Sequence, residues 1–261
     1  MRLLLSVLAL CAAVLGRAAE PAYPLAEAQE VRARGGLPNF FLKAQTTGAE
    51  VKVGYLGGSI TAQNGWRVQT LAHFKKAYPQ ASFAEINAAI GGTGSDLGVF
   101  RVRQDVLSQG PDLLFVEFAV NDGGADPQRI IRCMEGIVRQ TWKANPKCDI
   151  CFVYTVTEAL SPPMLEGKLQ RSASAMEKVA DHYGIPSITL GMEVAKLAKA
   201  GKLVWRAKLP KTDADKAALG DKFVFAADGV HPHDSTGQVL YAQAIILSLI
   251  HISEPTRLRR I

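Results

Sequence analysis

Five short apolar runs, each closed by a turn and followed by a stretch with helical spacing, constrain this chain more than any other feature. The runs are VKVGYL (51–56), SFAEINA (82–88), DLLFVEF (112–118), DICFVYT (149–155) and IPSITL (185–190). They are near-continuous in apolar character rather than alternating, as strands covered on both faces must be. Between them, WRVQTLAHFKKAY (66–78) places Val68, Leu71, Ala72 and Phe74 at three-to-four spacing. Helices also fit VFRVRQDVLSQ, PQRIIRCMEGIVRQTWKAN, MLEGKLQRSASAMEKVADHYG and MEVAKLAKAG, several of which stop at Gly or beside Pro. A last helix starts near Ser235. This alternation predicts a parallel five-stranded sheet with helices on both faces, a three-layer α/β/α sandwich. Residues 202–225 break the rhythm and read as an inserted loop or flap before the last helix.

At 261 residues and 48% hydrophobic content, the chain suffices for one large core. Its start has a basic residue at Arg2, an apolar run from Leu3 to Leu15 and small residues at Ala18 and Ala19. Residues 1–19 therefore read as a secretory signal peptide, too short to span a bilayer, which predicts a secreted or periplasmic protein with no membrane span after cleavage. Residues 20–36 read as a mobile connector and 37–246 as the folded domain. The stretch LSLIHISEPTR (247–257) resembles a direct translation of a transposase mosaic-end sequencing adapter. Residues 247–261 are accordingly read as a non-native tail, and His251 and the arginines there carry no functional weight.

The ends also dominate the charge. Of the formal +6, Arg2 and Arg17 supply +2 and the tail, Arg257, Arg259 and Arg260 against Glu254, another +2, leaving +2 for the body. A nucleic-acid partner or an acidic membrane surface loses its electrostatic basis. Cys133, Cys148 and Cys151 remain after the leader. CDIC has the spacing of a redox motif, but in a strand residues three apart face opposite sides, so buried structural thiols are expected and no disulfide framework or zinc site.

In an open parallel sheet, ligands bind outside the carboxyl ends of the strands. Four polar or glycine-rich segments fall there: GGSIT after the first run, IGGTGSD after the second, AVNDGG after the third, and ADGVHPHDSTGQ near the C-terminus. Ser59 stands at a strand-to-helix turn, where developing negative charge is favoured. Gly92 offers a bare backbone N–H for an oxyanion, with Gly91 as its competitor, and Asn121 offers a side-chain amide. His231 is a base of suitable intrinsic strength, and Asp228, three residues earlier, is placed to hold its imidazole in one tautomer. GGTGS lacks both the full GxGxxG spacing and a P-loop lysine, so nucleotide binding is set aside.

These blocks, in this order from Val51 to Ala244, resemble those of the SGNH hydrolases, the GDSL-type esterase and lipase superfamily, in its GGSIT variant. The resemblance implies a flavodoxin-like sheet of strand order 2-1-3-4-5, no metal and no cofactor. It also implies catalytic Ser59, Asp228 and His231, with Ser59, Gly92 and Asn121 forming an oxyanion hole. Two departures stand out: Gly58 occupies a position where many members have Asp, and Ala119 one where Gly is usual. Trp66, Glu117 and His233 are added as candidate substrate-lining residues, with core packing or a supporting role as the alternatives, and Asp122 is expected to brace the Asn121 loop. The expected activity is hydrolysis of short acyl esters on carbohydrate through an acyl-enzyme. A lipase or lysophospholipase of the same fold and a non-catalytic carbohydrate-binding protein are the alternatives.

Overall fold

The computed structural model describes residues 23–253, so the leader 1–19 and the last eight residues of the tail lie outside the described residues. In chain order the elements are β1 (Val31–Arg32), α1 (Pro38–Ala44), β2 (Glu50–Gly57), α2 (Ser59–Ala62), α3 (Trp66–Ala77), β3 (Ser82–Asn87), α4 (Ser95–Asp105), β4 (Leu113–Glu117) and α5 (Pro127–Ala144). There follow β5 (Asp149–Tyr154), α6 (Pro162–Leu165), α7 (Arg171–Tyr183), β6 (Ser187–Thr189), α8 (Met192–Lys199), β7 (Leu203–Arg206), α9 (Asp213–Leu219), β8 (Phe223–Ala226) and α10 (Gly237–Ser253).

The main sheet has the order β1-β6-β5-β4-β2-β3, and all its pairs are parallel except the antiparallel β1–β6. Without β1 this is the expected five-stranded order. Every residue of β4 and β5 is buried, whereas β3, at the edge, buries only Phe83 and Ile86, in keeping with its mixed sequence SFAEIN. Helices α4, α5 and α7 pack in series on one face, and α3, α8 and α10 on the other. The two layers and the sheet enclose one core, with Phe40, Tyr55, Phe74, Phe115, Phe152 and Tyr154 among its largest buried side chains.

Three expectations need correction. The described part of the connector is not mobile but seated on the sheet edge. β1 pairs with β6, Arg34 reaches buried Glu177 at 2.6 Å and the Ile185 carbonyl at 2.8 Å, and Arg32 adds a second ion pair to Glu177 at 2.9 Å. Tyr154 donates its hydroxyl to the same carboxylate at 2.7 Å, so a charge that would be costly to bury is ringed by donors. These contacts hold Arg34 at φ +41, a conformation rare outside glycine. The 202–225 insertion is not a loop: β7 and β8 pair in parallel, with α9 between them, capped at Thr212 by a reciprocal box with Asp215. The single helix expected over 164–184 is two, because Gly167, at φ +79, ends α6.

Helix α10 runs through residue 246 without a break and buries Ser248, Leu249 and Ile252. The first part of the adapter-like tail thus continues the last helix. Cys148 and Cys151 are buried free thiols, both pushed up by desolvation, in keeping with a structural role.

Candidate active site

The parallel part of the sheet starts at β2, turns out to β3, then crosses to β4 on the other side of β2. At such a reversal, connections leave the two central strands toward opposite faces and a crevice opens outside their carboxyl ends. The register pairs Gly57 with Glu117, so the turn carrying Ser59 and the loop carrying Asn121 emerge side by side. Gly58 caps α2, and Ser59 is that helix's first residue. Asp228 and His231 arrive from the loop between β8 and α10.

There the Nδ1–H of His231 donates to Asp228 Oδ2 at 2.7 Å, leaving Nε2 to accept the Ser59 hydroxyl at 2.8 Å. The other Asp228 oxygen accepts the backbone N–H groups of Val230 and His231, both at 2.8 Å. Gly229 lies between them at φ +78, the left-handed turn this short Asp-to-His spacing needs. Desolvation pulls the Asp228 carboxyl upward, but the hydrogen bonds from the His231 ring and the two amides outweigh it and hold the carboxyl well below the usual range. An ionised carboxylate fixed in this way orients the imidazole with Nε2 toward Ser59. Such an arrangement is one that can accept a serine proton and so activate the hydroxyl oxygen as a nucleophile.

The Asn121 amide lies against the Ser59 turn. A Cβ built on Gly58 would fall 2.1 Å from Asn121 Oδ1 and 2.8 Å from its Cγ. Gly58 has extended angles, φ −93 and ψ −156, open to any residue, so glycine is required here for space and not for conformation. Any side chain at this position, Asp included, would displace Asn121 from where it stands in this chain. Gly91 and Gly92 lie in the exposed loop after β3. A Cβ on Gly91 would approach Ser59 Cβ to 3.6 Å, while Gly92, with open space around it, has φ +74 and forms the loop's left-handed bend.

Asp122 accepts the Ser95 N–H at 3.0 Å and so ties the Asn121 loop to the start of α4, just past the glycine loop. Burial raises its carboxyl against the pull of those Ser95 hydrogen bonds.

Two of the three added lining candidates, Trp66 and Glu117, do not line the cleft. Trp66 is fully buried, edge-on to Tyr55 and Phe115, because its place at the start of α3 turns it under the sheet edge. Glu117 is also fully buried, as floor beneath Ser59: Thr155 and Thr61 donate their hydroxyls to it at 2.6 and 2.9 Å, and the Gly58 N–H faces it. Desolvation raises its carboxyl and those hydrogen bonds lower it, with desolvation the larger. His233 donates Nε2–H to the Ala207 carbonyl at 2.9 Å, engaging its ring with the 202–225 insertion.

Several supporting residues carried no signal strong enough to single them out. Gln238 accepts the Trp66 N–H at 3.0 Å and donates to the Ile60 carbonyl at 3.1 Å, fastening α10 to the Ser59 turn. A polar residue on the buried face of an apolar helix was its one visible mark. Arg101 spans the Gly57 carbonyl, at 3.2 Å, and the Ala88 carbonyl, joining the serine turn to the glycine loop. Tyr241 hydrogen-bonds the backbone of Val156 with its hydroxyl, donating to the carbonyl at 2.8 Å and accepting from the N–H at 3.1 Å.

A hydroxyl, imidazole and carboxylate in this relay, at the switch point of a sheet of this order, define the SGNH class of α/β hydrolases. The chain belongs to the GDSL-like lipase/acylhydrolase family, whose model matches residues 55–238. Among solved structures it is similar to a two-domain esterase active on acetylated mannans and co-crystallised with mannopentaose, at 25% identity and TM-score 0.68 over 86% of this chain. The chain spans only 56% of that protein's length. An acetyl-xylooligosaccharide esterase from Geobacillus Stearmophilus shares the fold at 15% identity and TM-score 0.59, covering 78% of this chain and 96% of its own. A lipase/acylhydrolase from Enterococcus faecalis does so at 16% and 0.53, with 78% and 96% covered. No curated protein sequence matches the chain.

Proposed function

We propose that this protein is a serine esterase that removes short acyl groups, acetyl above all, from carbohydrate, acting outside the cytoplasm. The observation that carries the reading is the relay from Asp228 through His231 to Ser59 Oγ, with bonds of 2.7 and 2.8 Å. Ser59 Oγ attacks the ester carbonyl as its proton passes to His231 Nε2, and Asp228 stabilises the imidazolium. The tetrahedral oxyanion is held by the Asn121 amide and by backbone N–H groups of Ser59 and Gly92. His231 then protonates the leaving alcohol, and water, deprotonated by the same imidazole, releases the acid and restores Ser59.

A short acyl group fits an open cleft: Ser59 is partly exposed and Gly91, Gly92 and Asp228 around it are exposed. Carbohydrate as the alcohol rests on the likeness to the acetylated-mannan esterase. The test is a panel of acetylated mannan, acetylated xylan and p-nitrophenyl esters of increasing acyl length, with Ser59→Ala as control. Acetate release lost in the variant is expected, with rates falling as the acyl chain lengthens. Rates that rise with chain length identify a lipase instead. A folded wild type that neither releases acid nor reacts with a fluorophosphonate at Ser59 refutes the catalytic reading.

A further inference from the structure

Glu117 is a carboxylate with no exposure and no cation among its hydrogen-bond partners, at the point where three strands end. Such a group is costly to bury and persists only where its surroundings supply donors. Here each one belongs to the site's scaffold. Thr61 Oγ comes from α2, two residues after Ser59. Thr155 Oγ comes from the residue after β5, so the acid ties α2 to that strand end. Gly57, paired in register with Glu117, keeps the gap closed: a Cβ there would fall 2.6 Å from Thr61 Oγ and 2.8 Å from the Glu117 carbonyl oxygen.

We propose that Glu117 is a positioning residue, its buried side chain clamping the Thr61 end of the Ser59 turn to the end of β5 so that Ser59 Oγ stays on the line of the His231 Nε2 lone pair. This rests on the esterase reading above. The acid suits the task because a carboxylate only accepts, and every group facing it donates. An amide would present an NH2 to this ring. To accept it a threonine hydroxyl must rotate and give up the bond it donates to the acid, so the turn shifts. Serine reactivity depends steeply on such geometry, a displacement near 1 Å costing on the order of 100-fold.

The test uses Glu117→Gln, Thr61→Val and the double variant, in each case as the full chain. For each we expect the rate of Ser59 phosphonylation by a fluorophosphonate, and kcat on p-nitrophenyl acetate, to fall by roughly 10- to 100-fold. KM is expected to stay within about twofold, because Glu117 lies below the cleft and touches no substrate. The double variant should be no slower than the slower single, since both break one clamp. Hydrogen exchange at the Gly58, Ser59 and Ile60 amides should speed up in the same proteins. That readout is independent of catalysis, so it still judges Glu117 if the wild type proves not to be an esterase. Should Glu117→Gln not fold, Thr61→Val carries the test, as it keeps the carboxylate and its Thr155 donor. Folded variants that label at the wild-type rate, with exchange unchanged, overturn the proposal.

Discussion

Replacing Gly58 by alanine tests the site's geometry with one added carbon. The new Cβ would lie 2.1 Å from Asn121 Oδ1, 2.8 Å from Cγ and 3.2 Å from Nδ2, where real Cβ contacts below 3.0 Å essentially do not occur. The backbone need not yield, because φ −93 and ψ −156 suit alanine. Asn121 must yield, and being partly exposed it can swing out toward solvent. The stability cost then lies near the lower end of the overpacking range, about 1 kcal/mol. The catalytic cost is much larger, because displacing the amide removes one oxyanion donor, worth roughly 100- to 1,000-fold in kcat, or about 3 to 4 kcal/mol. The assay is kcat on p-nitrophenyl acetate, with thermal melts, for Gly58→Ala, Asn121→Ala and the double variant. Each single variant should lose two to three orders of magnitude, and the double should lose about the same as one, a coupling of about 3 kcal/mol. A Gly58→Ala enzyme with wild-type kcat, or losses that multiply in the double variant, would refute the account.

Other consequences follow from the same structure. Arg34→Ala should destabilise the fold by about 2 to 3 kcal/mol in denaturant melts, less than a lone buried pair because Arg32 and Tyr154 still reach Glu177. A loss under about 0.5 kcal/mol would return residues 23–36 to connector status. Asp228 has a lowered folded pKa, so its contribution to stability is present above the ordinary carboxylate value, about 3.9, and is lost only as pH falls through the lowered one. The difference in Tm between wild type and Asp228→Asn should hold from about pH 7 to 5 and narrow only below about 4; convergence already at pH 6 would contradict the hydrogen-bonding scheme. Deleting residues 247–261 uncovers the sites of Leu249 and Ile252, which are 5% and 0% exposed, and should cost about 3 kcal/mol or more. An unchanged melting temperature would show that the end of α10 contributes nothing.

By itself the sequence determined the layers and the order of the chemistry. Near-continuous apolar runs such as DLLFVEF allow burial on both faces only, and that demands helices above and below a parallel sheet; all five expected strands appear, in the order that the family resemblance implied. Ser59 and Asn121 were legible because each follows an expected strand and strand ends in such a sheet converge, whereas Asp228 and His231 were legible from their DGVHP block ahead of the last helix. The two-residue β1 and the four-residue β7 and β8 were not, being too short to show a period.

What a side chain at a strand end faces was decided only by the tertiary structure. Glu117 and Trp66 sit beside cleft residues in sequence, yet β-strand register and the start of α3 turn both into the interior. The meaning of Gly58 lay further still from the local sequence. Periodicity reports which side of an element is apolar, but the room left by a missing Cβ is bounded by atoms of Asn121, sixty-three residues away, and exists only once β2 and β4 lie side by side.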